Sequence, residues 1–94
     1  MIRLNAFFEL KEGVTTEELT AITTPLVEAS LKDEGCLGYG LFQSTTLPGV
    51  FMFCESWKDD ECLEKHSSAP HFTYAVPKIS SLTKEGLVIE RFEK

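Results

Sequence analysis

The 94-residue sequence lacks any excess of positive charge. Nine lysines and arginines stand against fifteen aspartates and glutamates, which gives a formal net charge of −6 at pH 7. An acidic chain without a basic stripe repels both the phosphates of nucleic acids and anionic lipid headgroups. We therefore expect neither nucleic acid nor a membrane surface among its partners.

Long hydrophobic runs and leader-like features are also missing. No segment approaches the roughly 20 apolar residues that a membrane-spanning helix needs. The first stretch, MIRLNAFFEL, has neither the apolar run nor the cleavage-site pattern of a signal peptide. The expected location is therefore the cytoplasm.

The three cysteines, Cys36, Cys54 and Cys62, are odd in number and lack paired spacing. This usage indicates reduced thiols in a reducing compartment. A metal site made of Cys54, Cys62, His66 and His71 is an alternative, because Cys62 and His66 share one helix face. However, Cys54 and Cys62 are eight positions apart, and no C-x2–4-C knuckle is present. We predict small reduced thiols and no metal.

Alternating and helical hydrophobic periods divide the chain into six main segments. Asp59 or Asp60 caps the second helical segment, and Ser68 with Pro70 interrupts it as a new cap and an early-helix proline. The order β-α-β-β-α-β predicts one ferredoxin-like α+β sandwich over residues 1–94. Strands are predicted at 2–10, 36–45, 50–57 and 86–93. The first helix is predicted to begin at a capping box at Thr15 and to end before a C′ residue at Gly35, and the last helix is predicted at 70–82.

The third predicted strand is apolar on both of its faces. Phe51 and Phe53 point to one side, whereas Val50, Met52 and Cys54 point to the other. The helices of this fold cover only one face of the sheet, so the other face needs a second cover. A second copy of the chain is the simplest cover, which predicts a homodimer, and a monomer with exposed apolar residues is the alternative.

Two segments, EGCLGYGLF at 34–42 and FMFCESWKDDECLEKHSSAPHF at 51–72, carry a family pattern. Their pattern resembles the antibiotic biosynthesis monooxygenase family of dimeric α+β barrels. The resemblance implies that fold, a dimer and a small-molecule reaction. The family includes quinol and polyketide oxygenases that need no metal or flavin, as well as heme-degrading enzymes and an isomerase. The matching residues are Glu34, Gly35, Cys36, Tyr39, Glu55, Trp57, His66, Ser68, His71 and Phe72.

Oxidation of a phenol by O2 without a cofactor requires a base, an apolar pocket and a donor that holds the developing oxyanion. A histidine suits the first role, because its ordinary pKa lies near neutrality. Trp57, Tyr39 and Asn5 are candidate donors. The predicted catalytic residues are His66, His71, Trp57 and Asn5, and the predicted substrate-binding residues are Tyr39, Phe53, Glu55 and Phe72.

Several of these residues have a structural alternative. Trp57 would also serve as a packing anchor, and His66 as a satisfied core histidine. Glu55 is either a buried acid with a raised pKa or the partner of Arg3 or Arg91 in a salt bridge. Tyr39 and Phe53 also suit an ordinary core. His71 also suits a solvated helix end, and Asn5 the surface.

The sequence also departs from the family pattern. Phe53 stands where the polyketide oxygenases carry an asparagine, and of the heme-degrading set only Asn5 matches. The predicted function is a cofactor-independent monooxygenase that uses O2 on a quinol or related small aromatic. The alternative is an isomerase or a non-catalytic ligand-binding protein on the same scaffold.

Overall fold

Seven elements follow one another in a computed structural model that describes residues 1–94. The four strands form one antiparallel sheet in the order β2-β3-β1-β4, and the helices lie on one side of it. This confirms the predicted ferredoxin-like α+β fold. The elements are β1 (Ile2–Glu9), α1 (Thr16–Ser30), β2 (Cys36–Gln43), β3 (Val50–Trp57), α2 (Asp60–Ser68), α3 (Pro70–Ser81) and β4 (Val88–Glu93).

Helix α1 begins at the predicted capping box but ends earlier than predicted. The Thr15 hydroxyl accepts a hydrogen bond from the Glu18 amide at 3.1 Å, and the Glu18 carboxylate accepts from the Thr15 amide at 3.3 Å. The helix ends at Ser30, so the prediction of Gly35 as its C′ residue was wrong. Gly35 lies in the following loop with φ of 76°, where a Cβ would collide with the Cys62 side chain.

The break between α2 and α3 falls one residue later than the sequence suggested. Asp59 caps α2 by accepting from the Cys62 amide at 2.9 Å. Ser68 still belongs to α2, and its hydroxyl donates to the Glu64 carbonyl, so its predicted role as a new cap was wrong. Ala69 separates the helices in an extended conformation, which the following Pro70 favours by disfavouring the helical region for the residue before it.

The sheet has one face covered by helices and one open face. Ala6, Phe8, Phe51 and Phe53 are buried against the helices. We call the opposite side, which carries Phe7, Phe42, Met52 and Val88, the open face. The strand register places these four residues side by side across all four strands, with Phe42 57% and Val88 60% exposed. No helix combines the length and the apolar character needed to cross a bilayer.

A smaller buried cluster packs the end of β3 against α2. Ile2, Trp57 and Cys62 form it, and Trp57 is fully buried. The Trp57 indole Nε1–H donates to Glu55 Oε1 at 2.9 Å, so the polar atom of this ring is also satisfied. Trp57 is therefore a packing anchor, as the structural alternative proposed.

Replacing Trp57 by Ala should lower the free energy of unfolding by about 3–5 kcal/mol, because the ring is fully buried and its removal leaves a cavity. Urea unfolding followed by circular dichroism measures this loss. Tyr74→Ala is the matched control, since that aromatic ring is 66% exposed and its loss should cost within about 0.5 kcal/mol. Equal losses for the two variants would contradict the anchor role.

Candidate functional site

A cavity of about 180 Å³ lies between the helices and the sheet. Ten of its thirteen lining residues are hydrophobic, so water gains few hydrogen bonds inside it. An engineered cavity of about 150 Å³ holds benzene, which indicates that this space accommodates one aromatic ring. The walls comprise Leu4, Ala6, Leu26, Tyr39, Phe53, Glu55, Leu63, His66, Ser67, Phe72, Val76, Leu87 and Ile89.

The structure brings five of the sequence-predicted site residues together at this cavity: Tyr39, Phe53, Glu55, His66 and Phe72. The His66 ring centroid lies 5.4 Å from that of Tyr39 and 5.1 Å from that of Phe72, in both cases edge to face. The ring centroids of Tyr39 and Phe53 are 5.8 Å apart. These contacts fix the imidazole among aromatic side chains.

His66 has one ring nitrogen in a hydrogen bond and one without a partner. Its side chain is 1% exposed, and Nδ1 lies 2.8 Å from Asp33 Oδ2. Nε2 is buried and has no hydrogen-bond partner. Because an ionised carboxylate only accepts, the Nδ1 of a neutral ring carries the proton and Nε2 keeps its lone pair. Burial lowers the pKa of His66, although Asp33 opposes this shift, so the neutral ring is favoured.

His71 contacts the same carboxylate from another helix. Its Nε2 lies 2.8 Å from Asp33 Oδ2, and the two imidazole centroids are 5.8 Å apart. The His71 side chain is 23% exposed and does not line the cavity. The structure thus separates the two predicted bases into one at the cavity and one nearer solvent.

Asp33 is the site residue that sequence reasoning missed. We assigned the acid of the family pattern to Glu34, which instead is exposed and lies 3.4 Å from the Lys65 ammonium. Asp33 is on the loop between α1 and β2, where both histidines reach it. The available signal was the spacing, because the family pattern begins with an acid, any one residue and then Gly-Cys. In the sequence Asp33-Glu34-Gly35-Cys36 the acid at that spacing is Asp33.

Glu55 is a buried acid without a cationic partner. It is 8% exposed, and burial raises its pKa while the hydrogen bond from Trp57 partly opposes that shift. The alternative of a salt bridge was wrong. Arg91 pairs with Asp60 at 2.6 Å, and Arg3 lies on the open face, on the other side of the sheet.

Of the three predicted oxyanion donors, Tyr39 lies at the cavity with its hydroxyl protonated. Burial and the nearby Glu55 raise its pKa far above the usual value, so the phenol remains a donor. The Trp57 Nε1–H is occupied by Glu55. Strand alternation puts Asn5 on the open face next to Phe7, away from the histidines.

The structure does not assemble the metal set weighed from the sequence. Cys54 pairs with Asn5 across β1 and β3 on the open face, so the sheet separates it from the two histidines. Cys62 packs in the cluster with Ile2 and Trp57 instead. The three cysteines are free thiols.

Comparisons with known proteins agree with this fold. YcnE of Bacillus subtilis strain 168, whose name designates it a candidate monooxygenase, is 31% identical over 99% of this chain and 97% of its own. A solved Bacteroides thetaiotaomicron protein of unknown function, described as a possible oxidoreductase, is 38% identical with a TM-score of 0.89, and the match covers 99% of this chain and 96% of that one.

Two further comparisons identify the family. The crystal structure of an antibiotic biosynthesis monooxygenase has a TM-score of 0.91 and 28% identity, with 100% of this chain and 98% of that chain covered. The family model described as antibiotic biosynthesis monooxygenase matches residues 1–78. The chain therefore belongs to the antibiotic biosynthesis monooxygenase family.

Proposed function

We propose that this protein is a cofactor-independent monooxygenase that oxidises a quinol or a related small phenol with O2. The observation that carries the proposal is the arrangement of His66. Its ring lines an aromatic cavity, Asp33 fixes the proton on Nδ1, and Nε2 is buried without a partner. This is the geometry of a general base held in one tautomer by a carboxylate.

In the proposed reaction, His66 Nε2 accepts the proton of a phenolic hydroxyl. The phenolate is a much better electron donor than the phenol and reduces O2 directly. One oxygen atom enters the ring as a hydroxyl group and the other leaves as water, so a hydroquinone and O2 give a hydroxyquinone and water. The carboxylate of Asp33 stabilises the imidazolium that forms.

The surrounding residues suit a developing negative charge. Tyr39 lines the same cavity and keeps a protonated hydroxyl that donates to an oxyanion. Burial raises the pKa of Glu55, which favours its neutral form and reduces repulsion of a phenolate. The apolar walls exclude water and so protect reactive oxygen intermediates from hydrolysis and stray protons.

The pairing of Glu55 with His66 also supports a second candidate function, a small-molecule isomerase. Both side chains line the cavity, and their pKa values shift in opposite directions, upward for Glu55 and downward for His66. Both shifts favour the neutral forms, in which Glu55 can donate a proton and His66 can accept one. An isomerase needs this pair and no O2, and a plain binding protein needs neither.

We also propose that the protein works as a homodimer joined through the open face. Support comes from the apolar row of Phe42, Met52, Phe7 and Val88, which crosses the whole sheet and is not covered by a helix. Phe92 extends the same face and is 48% exposed. Covering these side chains with a second copy removes a large apolar surface from water.

Replacing His66 by Gln should lower kcat on an active quinol by roughly 10²–10⁴-fold, because glutamine cannot act as a base. An oxygen electrode with a panel of quinols, without added metal or flavin, measures turnover. Lys65→Gln is the control, since Lys65 is adjacent in α2 and exposed. Wild-type turnover by His66→Gln would contradict the proposal, and a panel without any oxygen uptake would favour isomerisation or binding.

The pH profile should reflect a base that burial keeps neutral. We expect kcat/KM to rise with pH and to level off, with its midpoint below 6.5, the ordinary pKa of histidine. Only the neutral ring accepts a proton, and burial means that a lower pH is needed to protonate it. Steady-state rates from acidic to neutral pH measure this limb. A midpoint above 6.5 would contradict His66 as the base.

Replacing Met52 by Glu should dissociate the dimer, because it places a charge in the middle of the open face. Sedimentation velocity should show the wild type at twice the 10.6 kDa chain mass and the variant as monomer or aggregate. Tyr74→Glu adds the same charge on the exposed side of α3 and should remain dimeric. A monomeric wild type at micromolar concentration would remove the assembly proposal.

A further inference from the structure

We infer that Asp33, His66 and His71 form a binding site for a divalent first-row transition-metal ion. Three ligand atoms converge there: Asp33 Oδ2, His66 Nδ1 and His71 Nε2 all lie within 4.8 Å of one another. The inferred site is distinct from the cavity, because it uses the nitrogen of His66 that faces Asp33 rather than the free Nε2.

The distances in the cluster suit such an ion. Both imidazole nitrogens lie 2.8 Å from the same Asp33 oxygen. Ligands held at about 2.0–2.2 Å from a tetrahedral zinc ion lie roughly 3.3–3.6 Å apart, so outward movements of less than about 1 Å by the three side chains make room. Two imidazoles and one carboxylate are also the ligand set of catalytic zinc sites and of non-heme iron sites.

The surroundings give the site both rigidity and access. His66 is held by its aromatic neighbours, and its ring centroid lies 4.5 Å from that of Trp57. Asp33 and His71 are 19% and 23% exposed, so an ion reaches them from solvent without passing through the cavity. The net charge of −6 adds a favourable long-range field for a cation.

Binding requires a change of tautomer in both histidines. Without an ion, His66 Nδ1–H and His71 Nε2–H donate to Asp33. Coordination uses the lone pairs of those two nitrogens, so the proton of His66 moves to Nε2 and that of His71 moves to Nδ1. When both rings are neutral, no proton is lost in the exchange.

The tautomer change has a consequence for catalysis that rests on the proposed function. With the ion bound at Nδ1, His66 presents an N–H donor to the cavity instead of a lone pair. It therefore no longer accepts a phenolic proton. The ion would thus inhibit the proposed oxygenase, whereas the binding of the ion does not depend on any reaction.

Isothermal titration of the metal-stripped full chain with zinc chloride tests the site. The wild type should bind one ion per chain, and His66→Gln and His71→Gln should each weaken binding by at least about 100-fold, the upper end of what losing an outer-shell partner costs. Glu34→Gln and Cys54→Ser should retain wild-type affinity, because Glu34 is a neighbouring surface acid and Cys54 a thiol on the open face. Circular dichroism of each variant verifies its fold.

Nitrogen NMR of the imidazole rings provides an independent test, since the chain has two histidines. Zinc should move the proton of His66 from Nδ1 to Nε2, and wild-type turnover of any active quinol should fall as the ion binds. Absence of zinc binding, unchanged affinity in His71→Gln, or an unchanged His66 tautomer would each overturn the inference. If no quinol is oxidised, the proposed function fails while titration and NMR still decide the metal site.

Discussion

Two hydrogen bonds converge on one carboxylate oxygen of Asp33, and the geometry of the site depends on them. They join the loop before β2 to α2 through His66 and to α3 through His71. In one uninterrupted helix, residues five positions apart would point about 140° away from each other. The extended conformation of Ala69 breaks the helix and turns both rings toward the same oxygen.

This arrangement lowers the stability of the fold, because it leaves Nε2 of His66 buried without a hydrogen-bond partner. A buried acceptor without a partner destabilises a protein by about 1–3 kcal/mol, and folded chains usually avoid it. Here the rest of the ring is secured by Asp33 and by packing against Trp57 and Tyr39. The fold thus holds an unpaired nitrogen beside an apolar space, and under the proposed function a substrate hydroxyl would pair with it.

The fold followed from the sequence because period-two and helical patterns are local properties. The same alternation already assigns Asn5 to the face opposite Leu4 and Ala6, so its separation from the histidines was predictable from parity. The role of Asp33 was not predictable in this way. Its partners, His66 and His71, are separated from it by 33 and 38 positions in the sequence, and the contacts depend on how α2 and α3 pack. The cap roles of Gly35 and Ser68 were wrong because Gly35 lies in the loop against Cys62 and the Ser68 hydroxyl donates within its own helix.

The partial exposure of His71 brings solvent close to the buried part of the site. The His66 side chain is only 1% exposed, so its ring has almost no direct contact with water. The Nδ1 proton of His66 faces the Asp33 carboxylate, and the same oxygen meets a second imidazole that is 23% exposed. Asp33 and His71 therefore connect the buried imidazole to solvent through two hydrogen bonds.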